Sequence, residues 1–453
     1  MKFALDGWSF PRASRVEYPI SSLADDSLVK ERKSLEREYS KFLREDLSLR
    51  NEVSYVGNKR EPVLRWFRFK EAFSGNLVRR LVAKLILDRD SCVLDPFCGI
   101  GTTLFVCQQV GIPSIGIDNF PIAVFVASTI TKVHEVDPKE VEFWVRRIPE
   151  ISSRCDVDLD PPDIPIVKKA FRPDIMKDLL RWREAIAQVD DPLVRNIIAI
   201  IFFNVIQDVS YTSNDGQFLR LVKNKHIPDI RASFRKHARI VLEDLARKEF
   251  WAPKTKVPVR VFEWDTRRIS ELELPGEPDA VITSPPYLNR YDYSRSYVLQ
   301  SAMYFLCSAE DIKYIRFNRL LRSHIESKVN RNEKPNHPAV AEVLKCLKMK
   351  EKMLNNPRIP HMIMAYFIDM EKCIRGLSCK LSEGARVAIV VANTRFEGEV
   401  IPVDFILTDI ARRYGFEPVE IVIARYKGNS SQQMRKYGRV RVRESILIWE
   451  FTG

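Results

Sequence analysis

Between Cys92 and Asp118 the chain changes hydrophobic period twice within 27 residues. Cys92-Val93-Leu94-Asp95 predicts a short buried strand, Phe97 to Thr102 a glycine-containing loop and Thr103 to Val110 a helix. Gly111 ends that helix, and Ser114-Ile115-Gly116-Ile117-Asp118 predicts a second strand. Strand, helix and strand at this spacing require a parallel pair with a right-handed crossover. The chain is therefore expected to fold as an α/β protein built on a parallel sheet.

The remaining periodicity extends this core. Residues 62 to 86 read as an aromatic lead-in followed by an amphipathic helix, with Ser74 as its N-cap. Upstream, Ser27 to Leu49 is a charged, sparsely apolar stretch expected to form a peripheral helical arm within residues 1–60. Residues 137–256 predict a helical insertion, with apolar spacing in Ile175 to Ala187, Leu193 to Val209 and Ile230 to Ala246, interrupted by a loop at 210–217. Strands are expected at Val257 to Phe262 and Asp279 to Thr283. A second, basic insertion at 308–360 precedes a helix (Met362 to Leu377), a strand (Arg386 to Ala392), a helix (Val403 to Tyr414) and two final strands, Val419 to Ala424 and Ser445 to Phe451.

At 453 residues the chain exceeds one ordinary core. Its longest apolar run, Ile197 to Ile206, is roughly half of a membrane span and contains Asn204. The start, Met1 to Asp6, lacks the apolar segment of a signal peptide, so a cytoplasmic protein without membrane contact is expected. Eight cysteines without a Cys-x-x-Cys pair, and six histidines without ligand spacing, predict no structural metal.

The net charge of +13 is unevenly placed. Asp311 to Arg358 carries 12 Lys or Arg against 5 acids, and Arg425 to Arg443 carries 7 with no acid. The two segments hold the whole excess, as a polyanion-binding surface would require, although a solvated helix face gives the same local pattern.

Two motifs carry chemistry. In Asp95-Pro96-Phe97-Cys98-Gly99-Ile100-Gly101-Thr102 the glycines let backbone approach a ligand where a helix N-terminus offers free amides. Asp118 follows Gly99 by 19 residues, the spacing at which an acid reaches ribose hydroxyls in nucleoside-binding units. Position 104 is Leu, so the dinucleotide fingerprint is incomplete. In Thr283-Ser284-Pro285-Pro286-Tyr287 two prolines force a stiff exit from a buried strand. That turn gathers the Ser284 hydroxyl and nearby carbonyls as acceptors for an amino group, beside the flat Tyr287 ring.

These segments resemble motifs I and IV of the S-adenosylmethionine-dependent DNA amino-methyltransferases, and Ser at the head of the tetrapeptide resembles the cytosine-N4 branch. Phe69 to Asn76 resembles motif X, and Glu263-Trp264-Asp265 falls where the family often places an acid near the cofactor's adenine. The resemblance implies a Rossmann-like methyltransferase sheet with a C-terminal antiparallel hairpin, formed by 61–136, 257–307 and 361–453. It implies that Asp95, Pro96, Phe97, Gly99, Gly101 and Thr102 hold the methionine part of S-adenosylmethionine, closed off by Phe73 and Ser74. It further implies Asp118 on the ribose and Asp265 on the adenine amine. Ser284 and Pro285 would accept hydrogen bonds from the target amine, Pro286 would stiffen the turn, and Tyr287 would stack on a cytosine flipped out of duplex DNA.

Charge makes 308–360 the candidate target-recognition region, with Arg316, Arg319, Arg322 and Lys328 as nucleic-acid contacts. The loop Lys427 to Lys436 adds Lys427, Arg435 and Lys436, with Arg439 just beyond, and Asn214 to Arg220 is a further candidate. The expected system is restriction-modification, with a cognate restriction endonuclease and a monomer or weak dimer. An adenine-N6 enzyme is the near alternative, because one serine does not fix the base. An RNA or tRNA guanine-N2 methyltransferase, or a catalytically silent nucleic-acid-binding protein, is the more distant one. The absence of Pro-Cys disfavours cytosine-C5 chemistry.

Overall fold

The strands and helix expected between Cys92 and Asp118 are present in the computed structural model, which describes residues 28–156, 160–215, 218–222, 224–330, 332–427, 431–438 and 440–453. The chain divides into two units, one of Ser54–Thr266 and Tyr291–Leu320, the other of Met1–Val53, Arg267–Arg290 and Leu321–Gly453. The fold class is α/β, as expected.

In the first unit, strand Val93–Asp95 pairs parallel with Ser114–Asp118, which pairs parallel with Val259–Glu263. The registers Asp95↔Gly116 and Asp118↔Glu263 bring the acidic strand ends to one edge. Helix Thr102–Val110 connects the first two strands and ends at Gly111, whose φ of +81° only glycine adopts cheaply.

Four long helices, Pro138–Arg154, Pro173–Ala187, Pro192–Asp208 and Ile230–Leu245, occupy most of 137–256. Pro192–Asp208 is apolar on nearly every side, so it must be enclosed, and Ile197 to Phe203 are all buried. Asp191 caps its first turn by accepting from the Leu193 and Val194 amides. Asn204, the polar interruption in this run, donates to the carbonyls of Trp66 and Ile200. The expected loop at 210–217 instead contains strand Thr212–Asp215, antiparallel to Phe218–Leu221. Short polar hairpins lack a burial signal, so periodicity misses them.

The second unit holds the order Leu43–Glu45, Phe416–Lys427, Val442–Phe451, Arg386–Ala392, Ala280–Thr283. The middle pairings are antiparallel and form the expected C-terminal hairpin arrangement; both outer ones are parallel. The N-terminal stretch differs from its reading. Its helix stops at Tyr39, and Leu43–Glu45 is a strand paired with Ile421 to Ile423. Nor is the helix peripheral: Arg32 is buried, with Nε 2.7 Å from Glu342 and Nη1 2.9 Å from Glu399. Partners 310 and 367 residues away override a local pattern that reads as solvated.

Candidate active site

The Gly loop is shaped by its own strand ends. Asp95 accepts from the Phe97 amide at 3.1 Å and the Thr103 hydroxyl at 2.6 Å, bending the chain directly after the strand. Pro96 is buried, its carbonyl accepting from the Thr266 hydroxyl at 2.5 Å. Phe97 is half-buried. Asp118 accepts from the Gly99 amide through one oxygen and the Phe120 amide through the other, both at 2.9 Å. Burial raises the Asp118 carboxyl above its ordinary range, against the pull of the Phe120, Gly99 and Asn119 amides and the Arg319 guanidinium.

Two glycines are required by contact as well as by φ. A Cβ on Gly99, at φ +51°, would lie 3.2 Å from the Phe69 ring, and one on Gly101, at φ +84°, would lie 3.0 Å from the Ala127 Cβ. Phe69 stacks in turn on Tyr297, with centroids 5.0 Å apart and planes at 18°. The ring of the motif X-like segment therefore packs directly on the motif I-like loop.

Ser74 caps helix Gly75–Lys84, accepting from the Leu77 amide at 3.3 Å. The turn around it is clamped by Asn58, which donates to the Phe73 carbonyl at 2.8 Å and accepts from the Gly75 amide at 2.9 Å. Gly57 allows this approach, since a Cβ there would sit 2.8 Å from the Ser74 Cβ. Neither Gly57 nor Asn58 carries a sequence signal, because their partners lie beyond any local motif. The aromatic lead-in is held by buried Asp244, which accepts from the Val63 amide, Arg65 and the Trp66 indole.

These residues fit an adenosylmethionine ligand. The Thr102 hydroxyl is buried at the first residue of its helix and has no hydrogen-bond partner among the described residues. The Ser74 cap uses the hydroxyl oxygen and leaves its hydrogen for a carboxylate. Asp95 and Asp118 spend lone pairs on the loop itself, so both act as loop formers whatever else they contact. The Trp264 amide donates to the Asp118 carbonyl at 2.9 Å, which sets half-buried Asp265 just past the end of its strand.

The tetrapeptide lies in the other unit. Strand Ala280–Thr283 is wholly buried, and the Ser284 hydroxyl donates to the Val390 carbonyl at 3.3 Å. Pro285 is buried and Pro286 half-buried. The Tyr287 hydroxyl donates to Glu444 at 2.9 Å. Burial, reinforced by the Glu444 carboxylate, pushes that phenol well above its ordinary pKa.

The basic residues are redistributed by the fold. Arg316 lies 2.7 Å from Asp292, and Arg319 lies 2.5 Å from Glu263 at the end of the strand leading to Asp265. Arg322 is buried with its fork on Asp369, at 2.7 Å, and Glu333, at 2.8 Å. That position corrects its reading as a DNA contact, because extracting the buried guanidinium would strip Glu333 of this cation and leave Asp369 to Arg267, 3.3 Å away. Lys427 is paired with Glu444 at 2.8 Å and Lys436 with Glu397 at 2.8 Å. Lys328 and Arg435 are exposed; Arg439 and Gly428 to Ser430 lie outside the described residues, as do Gly216 and Gln217 in the other candidate loop. Among the described residues no helix is long and apolar enough to cross a membrane.

The DNA methylase family matches residues 20–122, the span of the motif X-like segment and the Gly loop. The type II methyltransferase M.BsoBI of Geobacillus stearothermophilus is 31% identical, with 93% of this chain and 92% of that protein covered. The M.AvaI proteins of a Nostoc strain and of Anabaena variabilis are each 30% identical, covering 94% of this chain and 95% of theirs. Among solved structures, the rRNA methyltransferase aviRa from Streptomyces viridochromogenes overlaps at a TM-score of 0.30 and 13% identity, over 84% of this chain and 85% of that one. That likeness is too loose to inform substrate. Near-complete coverage on both sides at 30% identity and above places the chain in the N6/N4 DNA methylase family, beside type II methyltransferases.

Proposed function

We propose that this methyltransferase uses S-adenosylmethionine and acts on the exocyclic N4 amine of a flipped-out cytosine in duplex DNA, as the modification partner of a restriction endonuclease. The observation that carries the reading is the Ser284 hydroxyl. It donates to the Val390 carbonyl beside the Tyr287 phenol, and its oxygen keeps lone pairs able to accept from an amine. The Pro285 carbonyl supplies the second acceptor in this reading. Two acceptors on one NH2 group fix its orientation and leave the nitrogen lone pair for attack on a methyl donor.

The cofactor supplies a methyl group on a sulfonium, a leaving group that needs no covalent enzyme intermediate. The chain's own residues supply geometry. The Gly99 to Thr102 backbone and the Ser74 hydroxyl would hold the methionine end, Asp118 the ribose and Asp265 the adenine amine. An aromatic amine is a poor nucleophile, and fixing it in line with the transferred group is the main rate contribution available here. Exposed Lys328 and Arg435 stand as DNA contacts, with 308–360 as the region reading the target sequence.

The test is incubation of the protein with labelled S-adenosylmethionine and duplex DNA, followed by nucleoside mass spectrometry. N4-methylcytosine is the expected product. N6-methyladenine would transfer the same residues to the other base, and no methylated nucleoside on DNA would overturn the reading.

A further inference from the structure

The segment Arg425 to Arg443 reads from sequence as an acid-free basic loop, yet its first two cations share one acid that lies one residue beyond its end. Arg425 sits directly opposite Glu444 on the neighbouring strand, after a register shift between Ile423 and Arg425. That irregularity, of the kind that re-aims side chains, brings Arg425 and Lys427 onto one carboxylate. The Arg425 Nε binds Oε2 of Glu444, and the Lys427 Nζ lies 2.8 Å from Oε1. The Tyr287 hydroxyl donates to that same Oε1 at 2.9 Å, and the Lys427 Nζ lies 5.0 Å from the centroid of the Tyr287 ring.

Both oxygens of Glu444 are satisfied by the two cations, so a cross-strand ion pair alone has no need of the phenol. The phenol, which also meets the Ser284 hydroxyl, has the carboxylate as its acceptor. A tyrosine fixed only at its Cα swings about χ1 and χ2, whereas one tied at the hydroxyl is a rigid plate. With its side chain 1% exposed, Glu444 is shielded from the solvent that would weaken that tie.

We propose that Glu444 is a positioning residue for Tyr287, fixing the ring as a shelf for the target base and holding Lys427 as a cation over one face of it. This rests on the reading of Tyr287 as the base-stacking residue. Arg425 and Lys427 thereby belong with the Tyr287 ring rather than with a phosphate-binding surface.

The full-length protein is tested as Y287F, E444A, E444Q and the double variant Y287F/E444A, by single-turnover methylation and by DNA-binding anisotropy. A shelf displaced by about 1 Å costs on the order of a hundredfold in rate, so Y287F and E444A should each slow transfer by roughly tenfold to a hundredfold, with DNA affinity little changed. Because both remove the same bond, the double variant should be no slower than the slower single one. E444Q, which keeps an acceptor for the phenol, should recover part of the rate lost in E444A. Wild-type rate in Y287F, or losses that add in the double variant, would overturn the proposal. Should E444A fail to fold, the comparison is made between Y287F and Y287F/E444Q, whose losses must coincide. A wild-type protein that leaves no methyl group on DNA refutes the functional reading instead, so the two failures are distinguishable.

Discussion

Replacing Asp118 with asparagine separates loop shaping from ligand contact. The native carboxylate receives two amides, from Gly99 and Phe120, at 2.9 Å each. Asparagine offers one acceptor oxygen, so its NH2 group must face one of those N–H groups. A hydrogen bond to a charged group contributes about 1.5–3 kcal/mol, and one such bond is lost outright. If the loop then leaves its ligand-ready shape by about 2 kcal/mol, S-adenosylmethionine affinity falls roughly 30-fold. Titration calorimetry with the cofactor measures this loss. Hydrogen exchange at Gly99 to Gly101, in the absence of cofactor, reports the loop itself and should quicken in Asp118→Asn. Wild-type exchange together with affinity within about threefold of wild type, under 1 kcal/mol, would refute the argument. Since burial raises the carboxyl above its ordinary range, affinity in the wild type should begin to fall with acid at a higher pH than an exposed aspartate would give.

Two further outcomes follow from the same geometry. Asn58→Ala removes both bonds that clamp the Ser74 turn, leaving a buried carbonyl and amide unpaired, and should lower stability by about 2–4 kcal/mol and weaken cofactor binding; thermal melts and calorimetry check both. Asp409, hydrogen-bonded to His337 and Tyr39, has its carboxyl held down at about 2, so its contribution is complete above the ordinary value near 3.8 and is lost as pH falls through the folded value. With the side chain 26% exposed, screening limits this to on the order of 1–2 kcal/mol, visible as a urea midpoint that drops between pH 5 and about pH 2 in the wild type and less in Asp409→Asn.

What was readable in advance is unevenly distributed along the chain. Ser74 as N-cap, Gly111 as helix stop and the final antiparallel strands all follow from signals a few residues long. The position of Asp118 at a strand end was also legible, whereas its bond to the Gly99 amide, 19 residues away across one crossover, was not. Asn58, Gly57 and Glu444 were not. Each matters only through a neighbour brought close by folding, and an isolated Asn, Gly or Glu has no distinguishing context.

The charge pattern marks the boundary between the two kinds of information. Composition and order determined the α/β class, the loop and turn that point to amino-methyl transfer, and the total of +13. Only the tertiary structure decided which of those charges remain available. Arg32, Arg322, Arg425, Lys427, Lys436 and Arg443 are each paired with an acid, and Arg443 is buried against Asp404 at 2.9 Å. The physical reason is range. Hydrophobic period, capping and turn preference act over neighbouring residues, whereas a buried cation is compatible with folding only if some acid reaches it, and sequence distance does not limit which acid that is.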